Sequence, residues 1–78
     1  MVDKLSKRDV AWLDGLFGEV EVSGVQLTVV TEDGFKLEYD PTILTAHQAN
    51  EMIAIAERDG LFTDYGVDVE SNEIFFKH

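Results

Sequence analysis

Residues 25–39 read VQLTVVTEDGFKLEY, and the way this stretch folds back on itself decides the fold. Apolar and polar residues alternate on both sides of Glu32-Asp33-Gly34, which is the signature of a β-hairpin. Two registers are open. A two-residue Asp33-Gly34 loop pairs Val30 with Leu37 and leaves Leu27 and Val29 on the face of Lys36 and Glu38. A three-residue loop, with Gly34 in the left-handed region, pairs Val29 with Leu37 and Leu27 with Tyr39. Thr28 then meets Glu38, and Val30 meets Lys36, on the outer face. The second register collects the apolar side chains on one side and is the one expected.

Upstream of the hairpin, Val20 and Val22 alternate with Glu19 and Glu21, so residues 19–40 read as strands. The apolar parity changes across Ser23-Gly24, and a turn or bulge at Gly24 accounts for it, because glycine tolerates positive φ. Before that, Ser6 and Asp9 form an S-x-x-D helix start, with Leu5 placed to staple onto Val10. Val10, Leu13, Leu16 and Phe17 make one apolar stripe, closed by Gly18. Trp12 lies at its edge.

Downstream, Asp40-Pro41 opens a turn, and Thr45 with Gln48 makes a T-x-x-Q capping box. Ala46, Ala49, Met52, Ile53 and Ala56 form a stripe small enough to sit close to a sheet, and Gly60 ends the helix. A second hairpin follows, with Ser71-Asn72 as its turn, Val69 expected opposite Ile74 and Val67 opposite Phe76. The expected fold is therefore α+β: two layers, a four-stranded antiparallel sheet of two hairpins with two helices, in the order α-β-β-α-β-β. Residues 1–78 are read as a single compact domain, near the lower size limit for a self-sufficient core.

Charge is the other lead. Sixteen carboxylates face six Lys and Arg side chains, for a net charge of −10 at pH 7. Residues 1–8 hold Asp3 against Lys4, Lys7 and Arg8, so the other fifteen carboxylates meet only Lys36, Arg58 and Lys77. Such a surface repels phosphate backbones and anionic lipid, and favours basic protein partners. No cysteine is present to form a disulfide, a thiolate metal site or a thiol nucleophile. No stretch has the length of a membrane helix or the apolar core of a signal peptide, and a cytoplasmic setting is expected.

Motifs for chemistry are weak. His47 and Glu51 stand four apart on the second helix and read as a solvated pair rather than metal ligands. Asp64, Asp68 and Glu70 lack the rhythm of a calcium loop. The serines at 6, 23 and 71 occupy a cap, a bulge and a turn, and the glycines lack phosphate-loop spacing. No catalytic, cofactor-binding or metal residue is therefore assigned, and no enzyme activity is expected.

The acids form i,i+2 pairs on expected strands: Glu19/Glu21, Glu38/Asp40 and Asp68/Glu70. Same-face neighbours on a strand are roughly 6.6 Å apart, comparable to successive phosphates of a nucleic-acid strand. With Asp64 and Glu73, these residues (Glu19, Glu21, Glu38, Asp40, Asp64, Asp68, Glu70, Glu73) are the candidate partner-binding set. Asp3 and Asp9, beside the basic N-terminal segment, are expected to matter less. In size, lack of cysteine, α/β pattern and carboxylate excess, the whole chain resembles the small acidic inhibitors encoded by phages and mobile elements, such as anti-CRISPR and other DNA-mimic proteins. The resemblance rests on no residue motif, so it assigns no residue roles. It implies a non-enzymatic inhibitor, without cofactor, that occupies the basic nucleic-acid-binding site of a host defence complex such as a CRISPR effector. The alternative is an interaction or assembly domain, monomeric or homodimeric, that uses an apolar patch built from Trp12, Ile55 and Phe75.

Overall fold

The computed structural model describes residues 5–20 and 22–78. The elements run α1 (Lys7–Glu19), β1 (Val25–Thr31), β2 (Gly34–Tyr39), α2 (Ala46–Asp59), β3 (Asp64–Asp68) and β4 (Glu73–Lys77). The strands form one antiparallel sheet in the order β1-β2-β4-β3. This is the expected α+β fold. The α2 connection carries the chain across so that β4 lies beside β2, leaving β1 and β3 as the edges.

Both helix starts behave as their cap residues dictate. The Ser6 hydroxyl accepts from Asp9 N–H. Thr45 and Gln48 close the reciprocal capping box, Thr45 N–H to Gln48 Oε1 at 2.9 Å and Gln48 N–H to Thr45 Oγ1 at 3.2 Å. Gly60 ends α2 at φ 64°. Leu13 and Leu16 of α1, with Ala49, Met52 and Ala56 of α2, are buried against Phe35, Leu37 and Tyr39 of β2 and Ile74 and Phe76 of β4. Both helices therefore cover one face of the sheet, and the alanines let α2 approach it closely.

An aromatic cluster ties the layers together. Trp12 sets its edge onto Phe62 (4.9 Å between centroids) and Phe76 (5.1 Å), and its indole N–H donates to Asp59 at 2.9 Å. Ile55 packs against the same core, and Phe75 lies over Gly66, where a Cβ would sit 2.9 Å from its ring. Trp12 and Ile55 are thus held in packing against the core, while Phe75 lies half-buried on the opposite face of the sheet. Among the described residues, the large apolar side chains most exposed are Val10, Phe17, Leu27, Val29, Ile43 and Val69.

Three local expectations are corrected. Residue 19 belongs to α1 rather than to a strand: Glu19 is the last helical residue, and Val20 is buried just beyond it. In the first hairpin, the loop is Glu32-Asp33 and Gly34 is already in β2, with Thr31 opposite Gly34 and Val30 opposite Phe35. A bulge between Leu27 and Val29 then shifts the register, so that Leu27 meets Leu37 and Val25 meets Tyr39. Val30, not Val29, packs toward the core. Gly24 does adopt the anticipated positive φ, 72°, but the bulge lies four residues further on.

In the second hairpin, the loop spans four residues, 69–72. Val67 pairs with Ile74 and Tyr65 with Phe76, two residues away from the expected register. The cause is Asp68, whose carboxylate accepts from Glu70 N–H at 3.1 Å and Ser71 N–H at 3.3 Å, while Asn72 takes φ 56°. A side chain that bonds the backbone two and three residues on builds its own turn.

Gly34 is a strand glycine for a long-range reason. A Cβ there would collide with the Phe76 carbonyl oxygen and lie 2.8 Å from Lys77 Cα. Backbone cannot swing away as a flexible side chain can. Gly34→Ala is expected to destabilise the domain by about 1–3 kcal/mol, as overpacking does, seen as a lower urea midpoint with an unchanged slope.

Candidate functional site

The face of the sheet opposite the helices is built from the residues that alternate with the core positions. Directly opposed residues share a face, so the registers define its rows. One row runs Gln26, Glu38, Glu73, Asp68 from β1 to β3; the next runs Val29, Lys36, Phe75, Gly66; the last runs Thr31, Gly34, Lys77, Asp64.

Three carboxylates therefore stand on adjacent strands in one row, with Glu73 between Glu38 and Asp68. Neighbouring strands are about 4.7–4.9 Å apart, so the row steps by roughly that size from strand to strand, with the Asp68 carboxylate turned onto the Glu70 and Ser71 N–H groups. Two like-charged cross-strand pairs meet at Glu73. Each such pair opposes sheet formation by a fraction of a kcal/mol. Among the described residues, neither Glu38, Asp68 nor Glu73 takes part in an ion pair.

Two further acids gather at the same end. Asp40 follows β2 and accepts from Thr42 Oγ1–H at 2.6 Å and Thr42 N–H at 2.9 Å, which hold its carboxyl below the usual range. Glu70 projects from the exposed 69–72 loop. Donors on Ser71, with smaller contributions from Glu70 N–H and the Lys36 charge, likewise hold Asp68 low. Both aspartates thus stay ionised well below neutral pH. Beside them a groove of about 650 Å³ runs between the start of β1, the end of β2 and the β3–β4 loop, bordered by Gln26, Glu38, Asp40, Ile43 and Asn72.

The remaining candidates lie elsewhere. Asp64 is at the opposite end of the outer face, across from Lys77. Glu19 is on α1 and makes a bidentate pair with Arg58, 2.6 and 2.9 Å. Glu21 lies outside the described residues. The expected i,i+2 ladders along single strands are replaced by a row across three strands, because Asp40 and Glu70 lie beyond the strand ends. Lys36 and Lys77 share the outer face, so its acidity is concentrated at one end.

Asp9 also departs from expectation as a remote surface acid. It is buried at 5% exposure, and His78 Nε2 lies 2.9 Å from its Oδ1, with His78 Nδ1 3.2 Å from the Leu61 carbonyl. His47 and Glu51 form an exposed pair at 2.8 Å. No group of three His, Asp or Glu among the described residues is placed to hold a metal ion, and no helix there is long and apolar enough to cross a membrane.

The lowered carboxyl groups give a pH prediction. Glu19 is lowered chiefly by Arg58, Asp59 by Arg58 and then Trp12, Asp33 by Thr31, and Asp40 and Asp68 by their turn donors. A carboxyl whose native pKa lies below its unfolded value contributes stability that is fully present above the unfolded value. That stability is lost as pH falls through the native one. Urea midpoints should therefore hold steady on acidification to the ordinary carboxyl values, 4.5 for Glu19 and 3.8 for the aspartates, and fall below them. An Arg58→Gln variant should show a shallower fall, because Glu19 and Asp59 then lose their main cation.

Comparison of the chain with protein-family models, with curated proteins and with solved structures found no match.

Proposed function

We propose that the chain is a non-enzymatic inhibitor that sets its outer carboxylate row into a basic nucleic-acid-binding site of a host defence complex, a CRISPR effector above all, and so blocks DNA binding. The observation that carries this reading is the row Glu38–Glu73–Asp68. It sets two like-charged pairs opposite one another across the strands, makes no ion pair among the described residues, and is flanked by Asp40 and Glu70. Asp68 and Asp40 also hold their turns, but setting Glu73 opposite both Glu38 and Asp68 adds nothing to the stability of the sheet. A basic groove does gain from it, since opposite charges steer association and fix register. Steps of about 5 Å between strands bring the carboxylates close enough together to engage adjacent Arg and Lys side chains that otherwise hold successive phosphates. Glu38 and Asp68 are the outer contacts, Glu73 the central one, and Asp40 and Glu70 extend the charge around the sheet end.

The test is displacement of fluorescent duplex DNA from purified CRISPR effector complexes by increasing amounts of the chain. Potency should fall at least about tenfold between roughly 50 and 200 mM salt, as expected for ion pairing that replaces phosphate contacts. Failure to displace DNA from any effector at low salt, or displacement indifferent to salt, would count against the reading.

A further inference from the structure

The two edges of the sheet are guarded differently. β3 begins and ends on Asp64 and Asp68, and its central Gly66 is covered by Phe75. β1, VQLTVVT, contains no charged residue and no proline, and Leu27 and Val29 are 41% and 39% exposed. Its outer edge pairs with no other described strand. Unpaired backbone N–H and C=O groups on a β-branched, uncharged edge form a template for a further strand.

Each end of β1 opens into an acid-bordered cleft. Val25 and Gln26 border the groove shared with Glu38 and Asp40. Val30 and Thr31, at the other end, border a second cleft of about 220 Å³ that includes Glu32. Seven extended residues span about 23 Å, so one strand laid on this edge reaches both clefts.

We infer that β1 accepts an extended, cationic segment of a partner protein as a fifth strand. Main-chain hydrogen bonds run along residues 25–31, and Lys or Arg side chains at the segment's two ends meet Glu38 and Asp40 in one cleft and Glu32 in the other. Charge decides the occupant. A second copy brings another −10 and is repelled, whereas a cationic strand is attracted. The bulge between Leu27 and Val29 points the same way: it twists the edge away from a flat self-pairing, while a segment with no tertiary structure of its own can follow it. The inference rests on the proposed reading only in taking the partner to be basic; here the β1 backbone makes the main contact, and of the carboxylate row only Glu38 takes part.

The experiment uses the full chain and a fluorescein-labelled peptide of five alternating Thr and Val residues with two lysines at each end. A twin peptide is N-methylated at alternate residues, so that it keeps the charge and loses its donors along one side. The unmethylated peptide should bind at least about tenfold more tightly, since several hydrogen bonds are lost in the twin, and should slow hydrogen exchange of the β1 amides. Val29→Lys should weaken its binding severalfold with the far-UV spectrum unchanged. Equal affinity of the two peptides, or unaltered exchange at β1, overturns strand addition. So does a dimer of the chain, seen by sedimentation and lost in Val29→Lys, which assigns the edge to a second copy. The two readings fail separately: undiminished DNA displacement by Glu73→Lys sinks the carboxylate row, and only the peptide pair decides the edge.

Discussion

Glu73→Lys is expected to raise the thermal stability of the domain and, on the proposed reading, to remove most of the DNA displacement. The two effects have opposite signs for one physical reason. Glu73 stands opposite both Glu38 and Asp68, so a single reversal turns two repulsive cross-strand pairs into two attractive ones. At roughly 0.2–1 kcal/mol for each cross-strand pair, the gain is about 0.5–2 kcal/mol. For a domain of this size each kcal/mol moves Tm by about 4–8 °C. On the binding side, the same substitution puts a cation at the centre of the proposed docking row. A central contact of this kind carries about 2 kcal/mol or more, which is on the order of a 30-fold loss. Glu73→Gln should keep part of the stability gain and lose less affinity. Glu57→Lys, an exposed acid on α2, changes net charge by the same amount away from the row and is the control. Asp9 cannot serve as one, because its buried carboxylate is bonded to His78. Thermal melts and displacement curves of the three variants check the pattern. If Glu57→Lys and Glu73→Lys weaken displacement equally, charge acts only globally and the row has no special role. If Glu73→Lys lowers Tm, the outer face is not repulsive as described.

What could be read from the sequence was whatever is encoded locally. Ser6 with Asp9 and Thr45 with Gln48 are caps whose partners lie three residues away, and both form as their spacing requires. The inward faces of β2 and β4 follow from alternation alone, and the fold class follows from the order of elements. Register was not legible, because in both hairpins a distant or side-chain contact decides it. Gly34 looks like a turn glycine, yet the close approach of the β4 backbone is what excludes a Cβ. Ser71-Asn72 looks like a two-residue turn, yet the Asp68 carboxylate draws the chain into a longer one. Glu19-Val20-Glu21-Val22 alternates like a strand, but Arg58, 39 residues further along, clasps Glu19 at the end of α1. The carboxylate row inherits this difficulty. Every member was a candidate from the sequence, but their alignment depends on β4 lying between β2 and β3. That adjacency is set by the α2 crossover, and no local signal reports it. Ile43 and Gln26, which border the groove beside the row, carried no signal of their own.

Phe76→Ala tests the inner face of β4, as Glu73→Lys tests its outer face. Phe76 is fully buried, and its ring lies 5.1 Å from Trp12, 5.2 Å from Phe35 and 5.2 Å from Phe62. It joins α1, β2 and the segment after α2 at one point. Removing a buried phenylalanine costs about 3–5 kcal/mol in lost transfer and cavity energy. A 78-residue domain has only about 4–12 kcal/mol in total, at 0.05–0.15 kcal/mol per residue. The variant should therefore melt at least 12 °C lower, at about 4 °C per kcal/mol, with Trp12 fluorescence shifted toward that of exposed indole. Phe76→Leu keeps most of the volume and should cost under about 1.5 kcal/mol. Phe75→Ala, one residue away but facing out over Gly66, should cost far less than Phe76→Ala. Equal losses at 75 and 76 would mean that the faces of β4 are wrongly assigned, and the carboxylate row with them. The consequence for function separates the two faces. Phe76→Ala should weaken DNA displacement only in proportion to the unfolded fraction, and added osmolyte, which favours burial, should restore it. Glu73→Lys should lose displacement while fully folded, with no stabilising additive bringing it back.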